Sequence, residues 1–112
     1  VSTSRNGRRY YQFLGVPYAQ PPVGDLRFQS PVPVESWNGT LQTTSYAADC
    51  LGFDLFLLAR PQWGEESCLF LNVMTPNKLG SSVRKRLPVI VYIHGGAFQM
   101  GSGKLFPGKY FM

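Results

Sequence analysis

Apolar positions along the chain fall into short, separated blocks. Residues 89–93 (Val89-Ile90-Val91-Tyr92-Ile93) are apolar without alternation. That is the pattern of a strand covered on both faces, as at the centre of an α/β sheet. Gly95-Gly96 ends it, and the chain continues as a glycine-rich loop. Residues 69–75 predict a second strand, stopped by Pro76, and residues 9–14 a third behind a polar lead. Between them, residues 15–34 carry Gly15, Pro17, Pro21, Pro22, Gly24, Pro31 and Pro33. A helix cannot form there and few ladder bonds can. The segment is expected to run as an ordered loop pinned by Val16, Tyr18, Val23, Leu26 and Phe28. Trp37-Asn38-Gly39-Thr40 predicts a turn, and residues 45–49 one helical turn. Residues 51–67 predict a loop with an apolar centre from Phe53 to Leu58 and with Trp63. Residues 77–87 read as a polar, basic, hairpin-like connection.

Composition narrows the class. The aromatic fraction is 14% and the charged fraction 15%, which argues against disorder. Gly 12 and Pro 9 interrupt nearly every window long enough for a helix, without the three-residue period of collagen. No apolar run approaches the roughly 18 residues of a membrane span. A loop-rich, strand-containing globular chain remains. Its net charge of +5 raises nucleic acid or an anionic membrane as partners. The basic residues lie apart, at Arg5, Arg8 and Arg9 and at Arg84, Lys85 and Arg86, with no helical pattern joining them. They read as solvated loops, and no nucleic-acid partner is expected. The chain starts at Val1 and ends on Lys109-Tyr110-Phe111-Met112 without a polar tail, and it opens without an apolar signal-peptide core. It is expected to be a truncated or processed piece.

The sharpest chemical feature is Ile93-His94-Gly95-Gly96-Ala97-Phe98 directly after the buried strand. Adjacent glycines let the backbone turn so that successive N–H groups point at one spot, as an oxyanion requires. Preorganised donors of this kind are worth roughly 3–4 kcal/mol each to acyl transfer. Loops of the HGGG type supply this in lipases and esterases. By itself the tetrapeptide reads equally as a Gly-Gly turn. His94, the single histidine, is read as packing and bonding within the loop. With two cysteines it offers no metal-ligand spacing. Cys50 and Cys68 are an even pair that fits a disulfide closing a loop, or two buried thiols. A bridge would imply an oxidising compartment. Asn38-Gly39-Thr40 is an N-glycosylation sequon on the predicted turn, consistent with that compartment.

Together these segments resemble one family. Residues 13–19 (Phe-Leu-Gly-Val-Pro-Tyr-Ala), then Pro21-Pro22-Val23-Gly24 and Leu26-Arg27-Phe28, are similar to the N-terminal region of type-B carboxylesterases and cholinesterases. Trp37-Asn38-Gly39 is similar to their W-x-G turn, and residues 66–73 (Glu-Ser-Cys-Leu-Phe-Leu-Asn-Val) to their E-D-C-L-Y-L-N-V stretch. The segment from His94 to Phe98, with Gly101-Ser102-Gly103 behind it, resembles their oxyanion loop. The resemblance covers nearly the whole chain, and the loop wording and the C-terminal residues are most similar to arthropod members.

The resemblance implies an α/β class fold: the N-terminal portion of an α/β hydrolase, with short antiparallel strands leading into a mostly parallel sheet. Residues 1–112 would form part of a single carboxylesterase domain, cut before its nucleophile. Gly96 and Ala97 would supply two oxyanion N–H groups, Phe98 and Trp63 part of the substrate wall, Cys50 and Cys68 the first disulfide, and Arg27 and Glu66 a partly buried structural salt bridge. Ser67 stands where the family carries Asp. Trp63 sits closer to the second cysteine than the choline-binding tryptophan of cholinesterases, so choline binding is not carried over. No G-x-S-x-G nucleophile elbow occurs, because Gly101-Ser102-Gly103 has the wrong spacing. The implied activity, a serine-dependent hydrolysis of small-molecule carboxylic esters without cofactor or metal, belongs to an intact parent; the chain alone would be inactive. The implied location is secreted, extracellular or the ER lumen. The competing implication is a non-catalytic, neuroligin-like adhesion protein, distinguished by the residue at the elbow serine.

Overall fold

A computed structural model describes residues 1–53, 63–78, 80 and 86–112. Its organising element is strand β2, Arg9–Pro17, lying between β1, Ser2–Thr3, and β3, Phe70–Thr75, in a three-stranded sheet. Both pairings are antiparallel. Ser2 faces Tyr10 and Thr3 faces Arg9. On the other side the register runs from Tyr11 opposite Thr75 to Pro17 opposite Phe70. The β1–β2 connection is tight: the Ser4 N–H donates to the Arg8 carbonyl at 2.8 Å, and the Ser4 hydroxyl accepts from the Arg8 N–H at 3.1 Å. Ser4 is therefore satisfied although buried.

β2 extends past the expected end at Leu14 because a bulge carries it through Gly15. The pairing shifts between Phe13, opposite Val73, and Val16, opposite Leu71. That leaves one more residue on β2 than on β3, the two-against-one count of a bulge. Gly15 sits there at φ +69°. Its N–H donates to the Asn72 side-chain oxygen at 3.0 Å, while the Leu14 N–H turns away to the Thr43 carbonyl at 3.0 Å. A Cβ at Gly15 would press on Ala47 and the Ser45 carbonyl at 3.1 Å. Space and backbone angle both demand glycine.

Three large departures from the sequence expectation have physical causes. The proline-rich segment is held largely by backbone, and three of its five expected apolar pins are exposed. Gln20 donates to Val32 at 2.8 Å, Ala19 bridges Pro33, and a 3-10 turn spans Gly24–Leu26. Tyr18 and Val23 are exposed, and Phe28, at φ +62°, is 96% exposed. Residues 45–49 form no helical turn; they run without helical bonds into the Cys50–Glu65 bridge. Finally, residues 89–93 have no ladder partner among the described residues, and Val89, Ile90, Val91 and Ile93 are each at least three-quarters exposed. A parallel strand acquires neighbours through crossovers of a dozen or more residues. None lies beside this strand among the described residues; only Tyr92 makes a ring contact, edge-on to Phe106 at 4.8 Å.

Among the described residues the buried apolar set is small: Tyr10, Leu14 and Ala19. The chain's accessible surface is 9362 Å², against about 6,200 Å² for a compact monomer of this mass. Most of the expected apolar centre of the 51–67 loop, and most of the 77–87 connection including Arg84 and Lys85, lie outside the described residues. Among the described residues no helix is long and apolar enough to cross a membrane.

Two stability measurements on the full-length protein check these features. Gly15→Ala should lower unfolding stability by about 1–2 kcal/mol, as strain at a left-handed position with no room for Cβ. Arg27 pairs with Glu66, but their side chains are 54% and 35% exposed. The pair is thus half-exposed, Glu66 being the more covered partner, and solvent screens it. Arg27→Ala should cost less than about 1 kcal/mol. A larger loss in denaturant titration would show that Arg27 supports more than this ion pair.

Candidate active site

The loop after Ile93 is built as a tight reversal. The Gln99 N–H donates to the Gly96 carbonyl at 2.9 Å, and the Met100 N–H reaches the same carbonyl at 3.0 Å. Ala97 and Phe98, at the two central positions, have φ +55° and +59°. Positive φ at both central positions defines a type I′ turn. Such turns favour Asn-Gly, and each non-glycine residue held there costs of order 1–3 kcal/mol. Gly96 itself lies at φ +137°, where a Cβ would run into the Met100 carbonyl. Gly101, at φ +124°, lets the returning chain pass against His94 and the Gly95 carbonyl, leaving no room for a side chain.

This geometry decides which groups the loop offers. The Gly96 carbonyl is used twice inside the turn. Among the described residues, no backbone bond engages the Gly96 or Ala97 N–H. Phe98 projects fully into solvent at the apex. His94 is exposed, with Nδ1 donating to the Gly95 carbonyl at 2.9 Å in the Nδ1–H tautomer. It bonds within the loop.

The loop is held from outside at two points, both on the segment around Cys50. At the apex, the Phe53 N–H donates to the Gln99 carbonyl at 2.8 Å. On the returning limb, the Ser102 hydroxyl donates to Asp49 Oδ1 at 2.6 Å and Lys104 Nζ to Asp49 Oδ2 at 2.9 Å. Ser102 Oγ also accepts from the Lys104 N–H at 3.0 Å. Burial alone would raise the Asp49 pKa. The bonds from Ser102 and Lys104, with the positive charge of Lys104, outweigh burial and hold it below the usual carboxylate range. A depressed carboxylate contributes its stability above the unfolded-state pKa and loses it only as pH falls through the lower folded value. The cluster is therefore intact at neutral pH.

Cys50 and Cys68 are disulfide-bonded, with Cα atoms 4.9 Å apart, and Cys68 lies just ahead of β3. Glu65 donates to the Asp49 carbonyl at 2.9 Å and accepts from Leu51 at 3.2 Å, so the Cys50 segment is also zipped by backbone. Trp63 pairs with Gly52 through bonds of 2.9 and 3.2 Å. Its indole rests on Gly52, where a Cβ would come within 2.9 Å of Nε1, and that buried N–H has no acceptor among the described residues. The disulfide loop thus reaches the glycine turn by way of Phe53, yet no ring contact joins Trp63 to Phe98 among the described residues. Asn38 lies on an exposed bend with Gly39 at φ +80°. A shallow cleft behind the loop is lined by Asp49, Cys50, Asn72, His94 and Ser102.

Of these features, the Asp49–Ser102–Lys104 cluster carries no signal in the sequence. Its members stand 53 and 55 residues from Asp49 in sequence. Only the fold shows that they meet. Among the described residues there is no group of three or more His, Cys, Asp or Glu able to hold a metal.

Known proteins share this arrangement of segments. All of residues 1–112 match the profile of the Carboxylesterase family. The chain is 46% identical, over 92% of its length, to a juvenile hormone esterase of Tribolium castaneum, and 44% identical, over 96%, to esterase E4 of Myzus persicae. It spans 17% and 19% of those two proteins. A solved thermophilic PNB esterase superposes with a TM-score of 0.68 at 39% identity, covering 90% of this chain and 20% of that one. The shared fold is the α/β hydrolase, of which the antiparallel sheet here is an N-terminal portion. Profile, relatives and structure agree, and the chain belongs to the carboxylesterase family.

Proposed function

We propose that residues 1–112 are the opening part of a serine esterase domain, cut before its nucleophile, and that Gly96 and Ala97 are two of its oxyanion donors. The observation that carries this is the type I′ turn at the end of residues 89–93. It holds two non-glycine residues at positive φ and leaves the Gly96 and Ala97 N–H groups out of its own bonding. Strain concentrated at one exposed loop is what a preorganised site stores.

In the reaction, a serine oxygen outside this chain attacks the ester carbonyl carbon. The π pair moves onto the carbonyl oxygen, and the two N–H groups bond the anion so formed. The pair then returns, the C–O bond to the alcohol breaks, and the alcohol leaves with the proton taken from the serine. Water repeats the sequence on the acyl-serine and releases the acid. Neither metal nor organic cofactor enters. Phe98, exposed at the turn, would face the substrate, and Trp63 would back the same wall through the disulfide loop. The disulfide and the exposed sequon at Asn38 support an oxidising, secretory or extracellular setting with a glycan on Asn38.

Gly96→Ala in the full-length esterase tests the assignment. Its Cβ meets the Met100 carbonyl, so the turn must open and the donors move. A loss of about 100-fold or more in kcat is expected, with KM changed far less. A matching thermal unfolding curve shows that the protein stays folded. Unchanged turnover of a folded variant would falsify the oxyanion assignment. Fluorophosphonate labelling of the full-length protein should be strong, and of the 112-residue chain nil. Failure of the full-length protein to label would instead indicate a non-catalytic binding protein.

A further inference from the structure

We propose that Asp49 is a positioning residue for ester turnover, holding the returning limb of the glycine loop so that the Gly96 and Ala97 N–H groups stay aimed. The proposal rests on the oxyanion reading above and adds a residue to it. The loop has two ends to control. Its entering end is residues 89–93. Its returning end is Gly101-Ser102-Gly103, where Gly101 and Gly103 give the backbone little stiffness of its own. Gly101 must nevertheless lie against His94 and the Gly95 carbonyl for the turn to keep its shape. Something has to press it there.

Asp49 is placed to do so. Its two carboxylate oxygens are divided between two partners on the returning limb: Oδ1 takes the Ser102 hydroxyl at 2.6 Å and Oδ2 the Lys104 ammonium at 2.9 Å. The bond from the Lys104 N–H back to Ser102 Oγ closes the limb into one unit. Ser102 is buried, so its bond to Asp49 is shielded from competing water. The other end of the lever is rigid. Asp49 precedes Cys50, its carbonyl accepts from Glu65, and the disulfide ties the segment to Cys68 ahead of β3. The same segment holds the turn's apex through Phe53 and Gln99. Asp49 therefore completes a two-point clamp with Phe53, one grip at the apex and one on the return. A charge-assisted bond at each oxygen gives it direction as well as strength. Asp49 touches neither substrate nor reacting atom in this scheme; it acts through Ser102 and Gly101.

The test uses the full-length esterase with four variants: Asp49→Ala, Asp49→Asn, Lys104→Met and Gly96→Ala. Asp49→Ala should lower kcat about tenfold and leave KM within about twofold, because donors that drift cost the tetrahedral state more than bound substrate. Affinity for an alkyl boronic acid, which forms a tetrahedral anion on the serine, should fall in step with kcat. Asp49→Asn keeps the acceptor for Ser102 and should recover a good part of the loss. Lys104→Met, at a half-exposed site, should lose about threefold without unfolding the protein. The kcat loss of Asp49→Ala should be the same factor at every pH from neutral upward, since the carboxylate is ionised throughout. If Asp49→Ala is folded and keeps its kcat and boronate affinity while Gly96→Ala is inactive, the oxyanion reading stands and the positioning role of Asp49 is overturned. If both variants keep full activity, the oxyanion reading itself fails. If Asp49→Ala does not fold, Lys104→Met decides: unchanged kcat and boronate affinity overturn the proposal, and a parallel loss in both supports it.

Discussion

The bond between Cys50 and Cys68 is the constraint on which the rest of the site depends. It closes a loop of sequence separation 18, which by chain entropy is worth about 3 kcal/mol. Its placement matters more than its energy. One cysteine stands just ahead of β3, the strand that fixes β2 through their shared register. The other stands between Asp49 and Phe53, the two residues that grip the glycine loop. A loop with four glycines from Gly95 to Gly103 is thereby referred back to a sheet through a single covalent staple. Without the staple, the Asp49 and Phe53 bonds would tie one flexible segment to another and would position neither.

That arrangement explains how a strained turn persists. Ala97 and Phe98 at positive φ are unfavourable by themselves, and a turn sequence of Asn-Gly would be more comfortable. The two clamps and the close passage of Gly101 over His94 over-determine the loop, so it keeps its shape despite local preference. The consequence for chemistry is direct. On the oxyanion reading proposed for Gly96 and Ala97, donors held in place before the reaction would need no reorganisation when charge develops on the substrate oxygen, and that saving would be the source of a rate advantage.

The parts of this molecule that were legible in the sequence are those where local chemistry is decisive. Residues 69–75 read as a strand because apolar and β-branched residues run up to Pro76, and Phe70–Thr75 form one. The adjacent glycines announced a turn after residues 89–93, and a turn is there. The bulge at Gly15 was not legible, because it is defined by Asn72 and Ala47 from distant segments. The supposed helical turn at residues 45–49 failed for the same reason: pairing of Cys50 with Glu65 pulls the chain away from it. Phe28 looked like a pin and is instead exposed at a left-handed position beside Arg27, whose guanidinium lies 5.6 Å from the ring centre. Asp49 could not be read at all, since its partners are charged and polar residues of a kind every loop contains.

Residues 89–93 show where the remaining stability has to come from. Five consecutive apolar residues written for burial on both faces stand largely in solvent, and the buried apolar set among the described residues amounts to three side chains on one small sheet and its neighbouring loop. At about 25 cal/mol per Å² of apolar surface, covering this strand on both sides would contribute several kcal/mol. Residues 89–93 lead straight into the glycine turn, so packing that covered them would also fix the entering end of the loop. The disulfide segment and Asp49 fix the other end. Under the proposed function, the placing of Gly96 and Ala97 thus draws on two sources, one from burial around residues 89–93 and one from a covalent staple with a carboxylate, and a defect in either would leave the two donors attached at one end only.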